Sequence, residues 1–381
     1  MAAKRPRLVL MTADTLGGVW HYAFELAAAL GKRGVHTALA TMGAPLNDMQ
    51  REQIASARTV TLYESSYRLE WMDEPWTDVR RAGEWLLDLE HELAPDVVHL
   101  NQFAFGALPF ASPKLLVAHS CVLSWWRAVH GTAAPPVWNT YRECVGLGLK
   151  GADLVAAPTL AMLRTLAENY GFHAPGRVLW NGRNATRYAP GRKQPVVLAA
   201  GRLWDEAKNL SALEIVAPHL PWPVLVAGST RHPDGGVRST RCVLALGELS
   251  PAALARHYAR APIYVSPARY EPFGLSVLEA GLSGCALVLG DIPTLREVWG
   301  DAALYVAPED HLALRDCVGR LIADDLLRDR LARRARARAL SYTPARMARA
   351  YMDTYASLMN GAGVRRATAR LMPTEFVACA S

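Results

Sequence analysis

Short apolar segments alternate with amphipathic, helix-like segments along this chain of 381 residues. The first of them are a strand-like segment at residues 8–11, a helix-like segment at 19–32 and another strand-like segment at 36–41. Such alternation is typical of parallel sheets, because helices cover both faces of the sheet and its strands are buried on both sides. The pattern therefore predicts an α/β protein built from parallel sheets.

The chain is too long for one ordinary domain, and a Pro-, Gly- and Arg-rich linker at residues 188–195 divides it. We predict two Rossmann-like domains, residues 1–189 and 190–343. The predicted strands lie at residues 8–11, 36–41, 60–62, 97–100, 115–119, 154–157 and 178–179, then at 196–200, 224–227, 243–245, 263–265 and 286–289. Ligands of such sheets bind at the carboxyl ends of the strands, so a cleft between the domains is the expected site.

The net charge of +7 favours anionic ligands or surfaces, but no nucleic-acid-binding motif accompanies it. Much of the excess lies in one predicted helix, residues 326–340, which carries Arg328, Arg330, Arg333, Arg334, Arg336 and Arg338. A basic helix face can contact an acidic membrane, or it can simply be solvated. We expect no nucleic-acid partner and leave peripheral membrane contact open.

The six cysteines are scattered without a C-x-x-C pair, so neither a disulfide framework nor structural zinc is expected. No apolar run approaches 18 residues, and the run at residues 8–11 is too short for a signal peptide. These features predict a cytoplasmic protein, at most peripheral to the inner face of a membrane. The tail at residues 361–381 has no pattern and is predicted to be disordered.

The segment 271–279 places two carboxylates, Glu271 and Glu279, on either side of a glycine turn. A buried strand precedes it, and a helix begins after Gly274. Glycine lets backbone N–H groups approach a ligand, and the helix N-terminus favours an anion. The arrangement suits a ligand with phosphate in the middle and hydroxyl groups at both ends, such as a nucleotide-diphosphate sugar.

Two basic residues, Arg202 and Lys208, follow the first strand of the second domain. They could neutralise a diphosphate, Arg202 through a bidentate fork and Lys208 as a compact charge. Gly17 and Gly18 follow the first strand of the chain, where a phosphate loop would lie, but the third glycine of a dinucleotide fingerprint is missing. His119 ends another predicted strand and is a further candidate.

These motifs resemble the retaining, GT-B-fold glycosyltransferases of family 4. Their hallmark is Glu, seven residues, then Glu, and Glu271 and Glu279 fit it together with Phe273, Gly274 and Leu275. The resemblance covers nearly the whole chain. It implies a GT-B fold of two Rossmann-like domains, with a C-terminal helix at about 344–360 packing back on the first, acceptor-binding domain.

The resemblance also implies a role for each matched residue. Arg202 and Lys208 would bind the donor diphosphate, Glu279 the ribose hydroxyl groups and Glu271 the sugar hydroxyl groups. His119 would lie near the transferred sugar. The remaining donor-binding positions are Gly17, Gly18, Gly247, Leu249, Phe273, Gly274, Leu275 and Ser276. His119, Arg202, Lys208 and Glu271 are the expected catalytic residues.

The chain departs from the family at Ser120, where many relatives have Asp, which leaves the orientation of His119 open. The Trp-rich segment 124–138 lies where acceptors bind in the family, and it suits either acceptor stacking or ordinary core packing. The acceptor is expected to be a carbohydrate, a lipid-linked or a small-molecule hydroxyl compound, in polysaccharide, glycolipid or glycoconjugate biosynthesis.

No D-x-D motif occurs in a plausible loop, so we expect no metal and no cofactor. The predicted activity is transfer of a sugar from a nucleotide-diphosphate sugar with retention of configuration. A nucleotide-sugar epimerase on the same fold, or a degenerate GT-B subunit that binds without turnover, are the alternatives. A phosphorylase would need a pyridoxal-phosphate lysine site that the sequence does not offer.

Overall fold

The computed structural model describes residues 5–171, 176–231, 235–236 and 239–365. It consists of two compact units. The first contains the residues up to Ser124, Thr132–Gly182 and the residues from Pro344 onward, and the second contains Trp125–Gly131 and Arg183–Thr343. The chain therefore passes from the first unit to the second between Gly182 and Arg183, a few residues before the linker noted in the sequence.

The first unit is built on a parallel sheet of seven strands. They are β1 (Leu8–Asp14), β2 (His36–Met42), β3 (Val60–Glu64), β4 (Val97–Leu100), β5 (Lys114–Val117), β6 (Leu154–Ala157) and β7 (Gly176–Val178). The strand order is β3-β2-β1-β4-β5-β6-β7, and every neighbouring pair is parallel. The apolar segments predicted as strands all lie in this sheet, although β5 ends at Val117, two residues before His119.

Its helices are α1 (Gly18–Gly31), α2 (Asp48–Ala55), α3 (Trp76–Leu93), α5 (Asn139–Gly151) and α6 (Leu160–Tyr170); α4 (Val122–His130) begins in this unit, and its residues from Trp125 onward group with the second. Helices α2, α4, α5 and α6 were not predicted from the sequence. In α5 the glycines have a packing role, since a Cβ on Gly148 would lie 1.8 Å from the Phe103 carbonyl oxygen. Helix α5 thus packs closely against the backbone after β4, which a propensity argument does not detect.

The second unit is built on a parallel sheet of six strands in the order β10-β9-β8-β11-β12-β13. The strands are β8 (Val197–Ala200), β9 (Val224–Ala227), β10 (Leu244–Gly247), β11 (Ile263–Ser266), β12 (Ala286–Gly290) and β13 (Leu304–Val306). The helices are α7 (Leu210–Val216), α8 (Pro251–Arg260), α9 (Leu275–Leu282), α10 (Pro293–Trp299), α11 (His311–Ala323) and α12 (Asp325–Ala339). Strand β13 was not predicted from the sequence.

The last described helix, α13 (Pro344–Arg365), groups with the first unit. It continues through residues 361–365, which the sequence analysis assigned to a disordered tail. The rest of that predicted tail, residues 366–381, lies outside the described residues.

The arginines of α12 are mostly engaged with the protein. Arg328, Arg336 and Arg338 donate hydrogen bonds to backbone carbonyls, and Arg334 lies 3.5 Å from Asp301. Because these four arginines have partners within the protein, they contribute less to a basic surface on α12. Within the residues that the structure describes, none of the helices is both long and apolar enough to cross a bilayer.

The core of the first unit contains a buried polar network between α1, β4 and α13. Tyr22 Oη donates to Tyr351 Oη at 2.5 Å, and the Tyr355 hydroxyl lies 2.7 Å from His99 Nδ1. His99 has no exposed surface. Burial, together with the nearby His119, lowers the pKa of His99 to about 3, so the ring is neutral in the folded protein.

At the start of α9, Gly274 is the N-terminal capping residue and has a φ of +86°. Residues with a Cβ rarely adopt this conformation. A Cβ at this position would also lie 2.9 Å from Val277 Cγ2. Gly274 is therefore required by the turn that joins the loop after β11 to helix α9.

The buried His99 predicts a pH dependence of stability. The unfolded ring has a pKa near 6.5, so the unfolded state binds more protons between pH 3 and 6.5, and stability falls as the pH decreases through that window. From pH 7 to pH 5 this residue should lower the free energy of unfolding by about 2 kcal/mol. Urea denaturation of His99→Gln should show a correspondingly weaker pH dependence, whereas the exposed His91→Gln should match wild type. Equal pH dependence in all three proteins would contradict the assignment.

Gly274→Ala should destabilise the protein, because alanine pays about 1–2 kcal/mol in the left-handed region before any contact with Val277. A matched control is Gly319→Ala inside α11, where an added Cβ meets no atom within 4 Å. That change should stabilise the protein by about 0.5–1 kcal/mol. Urea denaturation of the two variants measures both effects, and a Gly274→Ala protein as stable as wild type would contradict the turn assignment.

Candidate functional site

The predicted site residues of the second unit lie at the carboxyl edge of its sheet. Strands β8 and β11 are neighbours, with Val197 paired to Ile263. Arg202 follows the end of β8, and Glu271 lies in the loop after β11. Because both strands run in the same direction, their ends bring these two loops side by side.

Glu271 joins three parts of this edge. Its Oε2 accepts a hydrogen bond from Lys208 Nζ at 2.6 Å, and its Oε1 accepts one from the Gly274 backbone N–H at 2.8 Å. Its own carbonyl oxygen accepts a hydrogen bond from Thr294 Oγ1 at 2.6 Å. The side chains of Lys208 and Glu271 keep 20% and 13% of their exposure, so a ligand can still reach the pair.

Arg202 is anchored by the buried carboxylate of Asp205, a residue that was not singled out from the sequence. The two side chains form an ion pair of 2.9 Å, in which Asp205 is buried and Arg202 is 41% exposed. Burial alone would raise the pKa of Asp205, but Arg202, Lys208 and hydrogen bonds from Trp125 Nε1 and a backbone N–H outweigh it and lower the pKa. Asp205 therefore stays ionised and anchors the guanidinium while leaving part of it accessible.

The start of α9 supplies backbone donors at the same edge. Phe273 is buried beneath the turn, and Gly274, Leu275 and Ser276 form the beginning of the helix. The first N–H groups of a helix have no partner within it and lie at the positive end of the helix dipole. This start therefore favours an anion next to the side chains of Arg202 and Lys208.

Glu279 lies one to two turns further along α9 and is only 5% exposed. Its Oε1 accepts hydrogen bonds from Arg183 Nε, at 2.7 Å, and from Arg183 Nη2. Arg183 was not singled out from the sequence. The buried partner of Glu279 was therefore missed.

Gly247 and Leu249 lie at the end of β10, two strands away from β8 in the same sheet. The Gly247 carbonyl accepts a hydrogen bond from the Gly228 N–H at 2.8 Å, which ties this end to the end of β9. Leu249 is half-buried. Gly247 and Leu249 lie at the same carboxyl edge as Arg202 and Glu271. Because β10 is the outermost strand on its side of the sheet, they lie at the end of that edge.

The remaining predicted residues belong to the first unit and lie at the carboxyl edge of its own sheet. Gly17, with a φ of +80°, caps α1 directly after β1, and Gly18 is the first residue of that helix. His119 follows β5 and is half-buried. Its ring centre lies 4.3 Å from that of Tyr22 on α1.

Asn101, after β4, fixes the orientation of His119 that the sequence left open at Ser120. The Asn101 carboxamide donates from Nδ2 to the Thr12 carbonyl oxygen at 2.6 Å, so its Oδ1 faces His119 Nε2 at 2.7 Å. An acceptor at that position requires that Nε2 carry the proton. Because burial lowers the pKa of His119 well below its ordinary value, the ring is neutral and Nδ1 is left as an acceptor. Ser120 itself is exposed.

The Trp-rich segment is partly accounted for by packing. Trp125 and Trp126 contact each other and His130 on α4, and Trp138 packs edge-on against Tyr141 in the first unit. Trp125 also donates to Asp205 at 2.9 Å, since residues 125–131 group with the second unit. Within the described residues there is no group of three or more His, Cys, Asp or Glu placed to hold a metal ion.

Comparison with known families supports the two halves of the chain separately. Residues 16–187 match the profile described as Glycosyltransferase Family 4, and residues 194–324 match the one described as Glycosyl transferases group 1. A glycogen synthase of Mycobacterium tuberculosis is 37% identical over 292 residues, covering 68% of this chain and 69% of that protein.

Solved structures show the same architecture. A sucrose-phosphate synthase from Thermosynechococcus elongatus superposes with a TM-score of 0.78 at 18% identity, over 93% of this chain and 100% of that chain. The Anabaena protein HepE, solved in complex with UDP-glucose, gives a TM-score of 0.72 at 16% identity, over 92% and 99% of the two chains. These likenesses, with the two parallel sheets, confirm the GT-B fold. The chain belongs to the family 4 glycosyltransferases of the GT-B fold, and it is a transferase of sugars.

Proposed function

We propose that this protein moves a sugar from a nucleotide-diphosphate sugar to an acceptor hydroxyl group with retention of configuration. The observation that carries the proposal is the convergence of Arg202, Lys208 and the start of α9 on one sheet edge beside Glu271. Two cations and a helix N-terminus around one exposed spot suit a diphosphate. The UDP-glucose complex of the HepE protein, which shares the fold, supports a donor of this class.

The chemical step breaks the bond between the anomeric carbon and the diphosphate oxygen. The bonding electrons leave with the diphosphate, while the sugar gains positive character. The acceptor oxygen bonds to the anomeric carbon, and its proton passes to the departing diphosphate. Preorganised cations and N–H groups stabilise the charge that develops on the departing group. Arg202 and Lys208 would supply that stabilisation, and Asp205 holds Arg202 ready for it at 2.9 Å. With two side-chain cations in place, we propose a reaction that needs no metal ion.

Glu271 would bind the hydroxyl groups of the transferred sugar. Its contact with Lys208 links the residue at the sugar to the residue at the diphosphate, so both lie near the bond that breaks. For His119 we propose the role that the family resemblance implies, a contact with the transferred sugar. Neutral His119, with the proton on Nε2, would accept a hydrogen bond from a sugar hydroxyl at Nδ1.

For the acceptor we propose a carbohydrate, lipid-linked or small-molecule hydroxyl compound. A cytoplasmic location is proposed because the six cysteines are scattered along the sequence without a C-x-x-C pair. Contact with an acidic membrane stays a prediction, and on α12 it rests on the exposed Arg330 and Arg333. The two family models that match the chain are described as glycosyl transferases, which favours transfer over epimerisation.

A thermal-shift screen against UDP, GDP, ADP and their common sugar conjugates tests the proposed donor class. One nucleotide family should raise the melting temperature of the wild-type protein, because a ligand that binds only the folded state stabilises it. Glu279→Ala should lose most of that shift, since the ribose contact is removed. No shift with any nucleotide would contradict the proposal, and an unchanged shift in Glu279→Ala would contradict the ribose assignment.

Arg202→Ala and Lys208→Ala should each lower turnover by about a hundredfold or more, as removal of a preorganised donor to a developing oxyanion does. Release of the nucleoside diphosphate from the donor found in the screen measures the rate. Arg330→Ala removes an exposed arginine of α12 and is the matched control, expected to keep the wild-type rate. The wild-type rate should persist in EDTA. Near-wild-type rates in both variants, or a strict metal requirement, would overturn this account of charge stabilisation.

A further inference from the structure

Arg183 and Glu279 form a buried ion pair in the second unit. Arg183 is 7% exposed and Glu279 is 5% exposed. Both Nε and Nη2 of Arg183 donate to the same oxygen, Glu279 Oε1. An arrangement in which the guanidinium uses two donors on one oxygen leaves the other carboxylate oxygen for a different partner.

The backbone of Arg183 is fixed by a contact with Tyr342. Its backbone N–H donates to the Tyr342 carbonyl oxygen at 3.0 Å. Tyr342 in turn packs edge-on against Phe273 with ring centres 5.6 Å apart, and its hydroxyl donates to the Val298 carbonyl at 3.0 Å. Arg183 is therefore fixed to the same loop that carries Gly274, so its guanidinium approaches Glu279 from a set direction.

The Glu279 carboxylate can accept more hydrogen bonds than Arg183 donates to it. Each carboxylate oxygen can accept about two hydrogen bonds. Arg183 fills both positions on Glu279 Oε1, and none of the described residues donates to Oε2. A buried charge is stable only when its remaining capacity is met, by protein, water or ligand. Oε2 is thus an acceptor oriented by Arg183 and open to a ligand.

We propose that Arg183 is a positioning residue that turns Glu279 Oε2 toward the ribose, and that the pair makes this enzyme select ribonucleoside over 2′-deoxyribonucleoside diphosphate sugars. The inference rests on the proposed function, in which Glu279 contacts the ribose. The 2′- and 3′-hydroxyl groups of ribose are cis and close together, so both can donate to the one open oxygen. A 2′-deoxynucleotide fills only half of that capacity.

The expected discrimination follows from the asymmetry of buried hydrogen bonds. A site built around a ligand hydroxyl rejects the analogue that lacks it, because a charged acceptor then remains unsatisfied. One such loss corresponds to about a tenfold to hundredfold weaker binding. The wild-type protein should show this ratio between UDP, GDP or ADP and the matching 2′-deoxynucleoside diphosphate, and it should bind dTDP weakly.

The experiment is a mutant cycle on that ratio. Isothermal titration calorimetry gives the Kd of UDP, GDP and ADP and of their 2′-deoxy counterparts for wild type, Arg183→Met, Glu279→Gln and the double variant. Arg183→Met should bring the ratio close to one. The double variant should match Glu279→Gln alone, because Arg183 acts through Glu279. Arg315→Met, which removes an exposed arginine paired with Asp316 on α11, should keep the wild-type ratio.

Arg183→Met leaves a buried carboxylate without its cation and can fail to fold. Arg183→Lys keeps the charge but supplies a point charge without the fork, so it should fold and show an intermediate ratio. The double variant removes both charges and serves the same purpose.

The outcomes separate the two proposals. If wild type binds ribonucleotides with the expected ratio but Arg183→Lys and Arg183→Met keep that ratio, or if the two single effects simply add, the positioning role is wrong while the proposed function stands. Tighter nucleotide binding by either Arg183 variant would show that Arg183 blocks Glu279 instead of orienting it. A wild-type protein that binds none of the six nucleotides would overturn both proposals.

Discussion

The second unit depends on one carboxylate, Glu271, to hold its sheet edge together. Its two oxygens bond to Lys208, on the loop after β8, and to the N–H of Gly274 at the start of α9, while its carbonyl bonds to Thr294 on α10. A negative charge at this position lets cations and N–H groups gather at one spot without a ligand, because it offsets their mutual repulsion. The edge is therefore preorganised for an anion before any substrate is bound.

The two glutamates of the motif, Glu271 and Glu279, lie in different environments. The pairs that they form therefore differ in how easily their contacts can be exchanged for contacts with a ligand. Glu271 and Lys208 keep part of their exposure, so their contact can be exchanged for contacts with a ligand. Glu279 and Arg183 are almost completely buried, and separating them would leave an uncompensated charge in the core. A buried pair of this kind contributes more to a fixed geometry than to stability. The Glu271–Lys208 pair can therefore change its contacts when a ligand binds, whereas the Glu279–Arg183 pair keeps one geometry.

The sequence predicted each described strand except β13, because apolar segments between turns are local signals, and it singled out both glutamates by their eight-residue spacing. It failed where partners are distant in the chain. Asn101 orients His119 from 18 positions away, and Arg183 pairs with Glu279 across 96 positions. Asp205 lies only three positions from Arg202, but an acidic residue next to a basic one has no periodic signal that marks it as buried. Helix α5 was missed because its glycines, unfavourable for a helix, are selected by close backbone packing.

The two sheet edges carry different polar groups. At the edge of the second unit the polar groups are charged: Arg202, Lys208 and Glu271. At the edge of the first unit, Asn101 and Gln102 follow β4, and His119, whose pKa burial keeps low, follows β5, while the carboxylate Asp14 ends β1. Gln102 is 5% exposed, and its amide has no partner among the described residues. The cations of the second unit suit an anionic group, whereas the amides and the neutral imidazole of the first unit can donate to and accept from hydroxyl groups without adding charge.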